Sequence, residues 1–160
     1  MSGERWSLER STIWGEEVGW LVGCNFTPST AGNQLEMWQP ETFDPETINR
    51  ELGWAADLGM NAIRVYLHDL LFEADSKGFL NRIDQVLEIA DKHKIGMIPV
   101  LFDGVWNTCP ELGPQPEPVP NLHNSIWVQS PGAAILHNPE QWVTLRPYVI
   151  KVFERFGEDS

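Results

Sequence analysis

The run Gly59-Met60-Asn61-Ala62-Ile63-Arg64-Val65-Tyr66-Leu67-His68 sets a helix stop directly against a β-strand. Between Asn61 and His68 the residues are apolar or aromatic, with Arg64 as the lone charge. A run this short and this apolar is expected to be a buried strand. Gly59 suits the left-handed residue that ends a helix. Upstream, Asp44-Pro45-Glu46 is a helix start: Asp44 can cap, Pro45 has no N–H to leave unpaired, and Glu46 meets the positive dipole end. Ile48, Leu52, Ala55, Ala56 and Leu58 then recur at helical spacing.

Downstream, Ile83, Val86, Leu87, Ile89 and Ala90 form one stripe of a second helix expected from Phe79 to Lys94. Lys92, His93 and Lys94 stand at its negative end. A further strand follows from Ile95 to Phe102 and leads to Asp103; Gly96 and Pro99 weaken it without removing it. A first strand is expected from Glu17 to Cys24, followed by a polar, aromatic loop over 25–43. Residues 104–137 form a long loop with prolines at 110, 114, 116, 118, 120 and 131. Asn138-Pro139-Glu140-Gln141 then opens a third helix that runs towards Gly157.

The order is β-α-β-α-β-α, with strands taken to be buried on both faces. The second and third strands start 34 residues apart, near 61 and 95. Parallel strands joined by right-handed helical crossovers are the expected result. Short helix-to-strand connections and long strand-to-helix loops favour a (β/α)8 barrel over a doubly wound sheet, whose Gly-rich first turn is absent. A whole barrel needs about 250 residues. The chain is therefore expected to be a partial TIM barrel over 1–160, its first three βα units, with 104–137 as a Pro-rich loop on the active face.

Lys plus Arg is 11 and Asp plus Glu is 23, a formal charge of −12. Nucleic acid and anionic membranes require a basic surface, so neither is an expected partner. The opening Met1-Ser2-Gly3-Glu4-Arg5-Trp6 has no apolar signal core, and no apolar run approaches a membrane span. A cytoplasmic location with reduced Cys24 and Cys109 is expected. No metal or phosphate-binding motif occurs, and no cofactor is implied.

Gly59-Met60-Asn61-Ala62-Ile63-Arg64-Val65 resembles the second strand of the cellulase-type glycoside hydrolases, family 5 and its clan. Gly23-Cys24-Asn25-Phe26 is similar to their first strand and its outlet. Trp38…Glu41-Thr42-Phe43-Asp44, Leu67-His68-Asp69-Leu70, Val100-Leu101-Phe102-Asp103 and His123-Asn124-Ser125…Trp127-Val128 resemble cellulase-like and xylanase-like bacterial members. The resemblance implies a hydrolase that cleaves a β-linked glycan with retention, using two glutamates about 5 Å apart. In the family these follow the fourth and seventh strands, so both are expected to lie beyond these 160 residues. No catalytic residue is then present, and little or no hydrolysis is expected. The alternative is a complete small α/β module that binds a sugar or other ligand without catalysis.

Within this resemblance Arg64 would orient the missing nucleophile; otherwise it forms an ion pair with Glu17 or Asp103. Asn25, His68 and Asp103, at strand outlets, are candidate sugar contacts, with a turn asparagine, a structural histidine and a loop-capping carboxylate as the plainer readings. Trp38, Trp106 and Trp127 fall in the loops after strands, where flat indoles suit the C–H faces of pyranose rings. Trp54 and Trp142 read as packing residues within helices. Three strands of an unclosed barrel leave two edges and an apolar flank uncovered, so self-association is expected.

Overall fold

The computed structural model describes residues 5–157; residues 1–4, which open the segment read above for a signal core, and 158–160 lie outside it. The elements run α1 (Leu8–Val18), β1 (Gly23–Asn25), α2 (Gln34–Trp38), α3 (Pro45–Asp57), β2 (Ala62–Tyr66), α4 (Asp69–Lys92), β3 (Gly96–Val100), α5 (Ala133–Leu136), a 3₁₀ segment (Pro139–Leu145) and α6 (Arg146–Gly157). The chain is a mixed α/β protein with one parallel sheet of order β1-β2-β3. Neighbours in sequence are neighbours in the sheet, so these three strands contain no switch point.

β2 alternates. Ile63 and Val65, followed by Leu67, are buried with Ile48 and Leu52 of α3, Phe79, Ile83 and Val86 of α4, and Tyr148 and Val152 of α6. The helices that follow the three strands thus share the face of the odd-numbered β2 residues. The opposite face carries Arg64, in register with Asn25 on β1 and Ile98 on β3, and both Arg64 and Ile98 are exposed there. The expectation of strands buried on both faces is therefore corrected: among the described residues the face away from the core buries Ala62 and half-buries Tyr66 but leaves Arg64 and Ile98 exposed. β1 is exposed along its whole length.

The helix signals act as the residues dictate. The Asp44 carboxylate accepts the Thr47 N–H at 3.0 Å, and that bond holds its carboxyl below the usual value. Gly59 takes φ +84° at the helix exit. Several boundaries differ from expectation: α5 lies inside the stretch read as the 104–137 loop, and the third helix opens as the 3₁₀ segment, with α6 starting at Arg146. Glu17 and Val18 close α1, an N-terminal helix that the apolar pattern does not predict, so β1 starts only at Gly23. α2 interrupts the 25–43 loop because the Asn33 side chain accepts the N–H groups of Leu35 and Glu36. α4 begins at Asp69 and kinks at Asp75, whose φ is −152°. The connection after β2 is consequently short, unlike the long ones after β1 and β3.

Candidate active site

The C-terminal ends of the three strands open into a cleft of about 510 Å³. Asn25 reaches it from the last residue of β1, Tyr66 from the last of β2, and Asp103 from just beyond β3. The far side comes from the Pro-rich loop, which supplies Trp106, His123 and Trp127. Backbone pairing folds that loop back over the strand ends. Asp103 N–H donates to Ser130 O at 2.7 Å and Ser130 N–H returns to Asp103 O at 2.9 Å; Gln129 N–H donates to Asn107 O at 2.8 Å.

Side-chain amides of the preceding loop fasten it further. Asn33 Nδ2 donates to Ile126 O at 2.8 Å and to Gln115 Oε1 at 2.9 Å. Gln34 Nε2 donates to Val128 O, and Gly113 N–H donates to Gln39 Oε1 at 2.6 Å. Asn33 and Gln34 are fully buried. The long loop is thus built into the core, as buried backbone groups require partners.

Arg64 underlies the cleft floor. Its Nε–H donates to Asn25 Oδ1 at 2.8 Å and its Nη2–H to Tyr66 OH at 2.7 Å, with the guanidinium 5.4 Å from the Tyr66 ring centroid. Among the described residues no carboxylate lies within ion-pair distance of it, so neither Glu17 nor Asp103 is its partner. It is a preoriented cation holding two cleft residues by hydrogen bonds. Tyr66 stands edge-on to Trp127, centroids 5.5 Å apart at 90°. Trp106 Nε1–H donates to Asp103 Oδ2 at 3.2 Å, and its ring lies 6.0 Å from that of His123. Asp103 is the one carboxylate among the lining residues, and no Lys or Arg lines the cleft.

Asn25, Asp103, Trp106 and Trp127 therefore meet in one cleft. Trp38 and His68 do not, and their reading as sugar contacts is corrected. Trp38 is fully buried, edge-on to Phe79, and its Nε1–H donates to Tyr66 O at 2.9 Å. His68 is also fully buried, its Nε2 bonded to Gln129 O at 3.0 Å. The sequence pattern puts both at strand outlets or in loops, but α2 and the early start of α4 carry them into the core. Tyr66 and Thr27 also line the cleft, and neither is singled out by the sequence pattern. For Tyr66 a signal exists: it lies two residues beyond Arg64, hence on the same strand face and nearer the strand's outlet.

Behind the cleft, Ser130 Oγ–H donates to Asp69 Oδ1 at 2.7 Å, and His68 Nδ1 lies 3.2 Å from that oxygen and 3.2 Å from Leu70 N. A proton on Nδ1 serves the carboxylate; without one, the nitrogen caps α4. Burial alone pushes the Asp69 carboxyl up, but hydrogen bonds from His68 and Ser130 outweigh it and leave it below its ordinary value. Tyr148 OH donates to Leu101 O at 3.0 Å, and burial raises its phenol well above the usual range.

Trp54 and Trp142, read as packing residues, are 57 % and 53 % exposed on their helices. Cys24 and Cys109 are free thiols, both exposed. Among the described residues no group of His, Cys, Asp or Glu side chains could hold a metal ion, and no helix is long and apolar enough to cross a membrane. Comparison with family models, curated proteins and solved structures finds no match for the chain.

Proposed function

We propose that this chain is the substrate-binding N-terminal part of a retaining β-glycosidase built on a (β/α)8 barrel. The observation that carries the reading is the cleft itself. It lies at the C-terminal ends of sequentially ordered parallel strands, where barrel enzymes assemble their sites, and combines aromatic walls with neutral polar groups. Indole faces suit the axial C–H groups of pyranose rings, while Asn25, Thr27 and Asn124 offer partners for hydroxyls. Helices on one sheet face and an uncovered face opposite also support a partial barrel. The rival reading, a complete binding module, requires a covered sheet.

In this reading Arg64 is poised to orient the nucleophilic glutamate from beneath the cleft, with Asn25 and Tyr66 already holding its guanidinium. A retaining mechanism needs two carboxylates about 5 Å apart. The cleft has one, Asp103, so binding without turnover is the expected behaviour. Titration calorimetry with cellohexaose, xylohexaose and mannohexaose tests this. At least one should bind with no reducing ends released, and Trp127→Ala should weaken it roughly threefold to tenfold. Absence of binding by all three would sink the reading.

A further inference from the structure

Trp106 combines two features that a surface tryptophan does not need. Its backbone sits at φ +82°, a left-handed conformation that is costly for a bulky side chain. Its indole is nevertheless held, because Nε1–H donates to Asp103 Oδ2 while the ring makes a T-shaped contact with His123. Asp103 is itself fixed by the two backbone bonds to Ser130, at 2.7 and 2.9 Å. The loop carrying Trp106 is pinned again at Asn107, whose carbonyl accepts the Gln129 N–H. The strain is thus confined between two anchored points, and the indole it displays is 38 % exposed and lines the cleft.

We propose that Trp106 is a stacking wall preset before any ligand arrives, and that Asp103 is its positioning residue rather than a ligand of the sugar. This rests on reading the cleft as a glycan site. It leaves the single cleft carboxylate the role of accepting the indole N–H, which an amide oxygen can fill equally well. Asp103→Asn should therefore preserve the wall and Asp103→Ala should release it. Trp106→Phe, which lacks the N–H, should reproduce Asp103→Ala.

Three measurements on the full chain test it. The near-ultraviolet circular dichroism band of Trp106, taken as wild type minus Trp106→Phe, should survive in Asp103→Asn and vanish in Asp103→Ala without any ligand. Among backbone probes, Trp106→Gly should melt above Trp106→Ala, because glycine alone accepts positive φ freely; the reverse order would show an unstrained site and overturn the preset wall. With whichever of the three hexasaccharides binds, Asp103→Ala and Trp106→Phe should each lose about fivefold to tenfold in affinity, and the double variant no more than either. Loss of affinity in Asp103→Asn equal to that in Asp103→Ala would show that the charge touches the ligand, and would overturn the positioning role. If no saccharide binds, the glycan reading fails, while the dichroism and the Gly–Ala order still decide whether Asp103 holds a strained Trp106.

Discussion

Asp69 is 5 % exposed, yet it faces Ser130 Oγ at 2.7 Å and His68 Nδ1 at 3.2 Å, so its charge is matched by donors where water is scarce. These bonds join the start of α4 to the returning end of the Pro-rich loop, and the same residue is thus a stability element behind the cleft. Asp69→Ala leaves a buried hydroxyl and an imidazole without their partner and should cost about 2–4 kcal/mol in urea unfolding at pH 7. The pH dependence has a definite sign. The folded carboxyl titrates below its ordinary value, so its contribution is present above the unfolded value near 3.8 and is lost as pH falls through the folded one. The gap between wild type and Asp69→Ala should therefore narrow in acid; a gap unchanged at pH 2.5 would mean that the charge contributes nothing. Tyr148 acts at the opposite extreme. Its raised phenol contributes fully below about pH 10 and ceases to contribute as pH rises through the folded value, so stability should decline on strong alkalinisation, and Tyr148→Phe should flatten that decline.

At the scale of elements, α2 is the joint on which the cleft depends. Its cap, Asn33, serves two N–H groups of its own helix and also donates to Ile126 O and Gln115 of the Pro-rich loop. Asn33→Ala should destabilise the chain by about 2–4 kcal/mol and expose 111–126 to limited proteolysis before global unfolding. Cleavage at the wild-type rate would show that the loop is held otherwise. This joint also marks what sequence can and cannot reveal. Asp44-Pro45 and Gly59 bracket α3 by local chemistry, and the β2 strand follows from an apolar run of the right length. Both signals are short-range and readable. α2 is not, because one turn and a half of helix carries no periodicity to detect; only its capping asparagine hints at it. The first half of α4 is hidden for a similar cause. Asp75 breaks the helix, so the stripe that becomes visible at Phe79 does not extend back to Asp69. Strand-end positions such as Asn25 and Asp103 are legible because topology alone sends them to one face. The burial of Trp38 and His68 is not, since it is decided by loops that close only in three dimensions.

For the whole molecule, the decisive quantity is the apolar surface left on the sheet side away from the helices and at its margins. Ile98 and Phe102 are 46 % and 37 % exposed, β1 is open throughout, and the segment before it exposes Trp20, Leu21 and Val22 at 87 %, 45 % and 45 %. The two edges are not equivalent. Gly96 N–H donates to Asn61 O and Leu67 N–H to Val100 O, so the even residues of β3 serve β2. Pro99 is odd, and the N–H it lacks therefore belongs to the outer edge, which blunts strand addition there. β1 has no such guard. Association of copies should then proceed through β1 and the uncovered sheet face, against a repulsion set by the formal charge of −12. Salt screens that repulsion, so sedimentation velocity should show association growing with protein concentration and strengthening from 20 to about 500 mM NaCl, where the Debye length has fallen to a few ångströms. Ile98→Glu, which places a charge on the open face without touching the helix side, should weaken it. Cys24→Glu, which charges the unguarded edge strand at an exposed position, should weaken it as well. Pro99→Val restores a donor to the outer edge of β3 and should strengthen it. A chain that stays monomeric at 500 mM NaCl and melts in one sharp transition would mean that the open face is satisfied as it stands, and the partial-barrel reading would have to be abandoned.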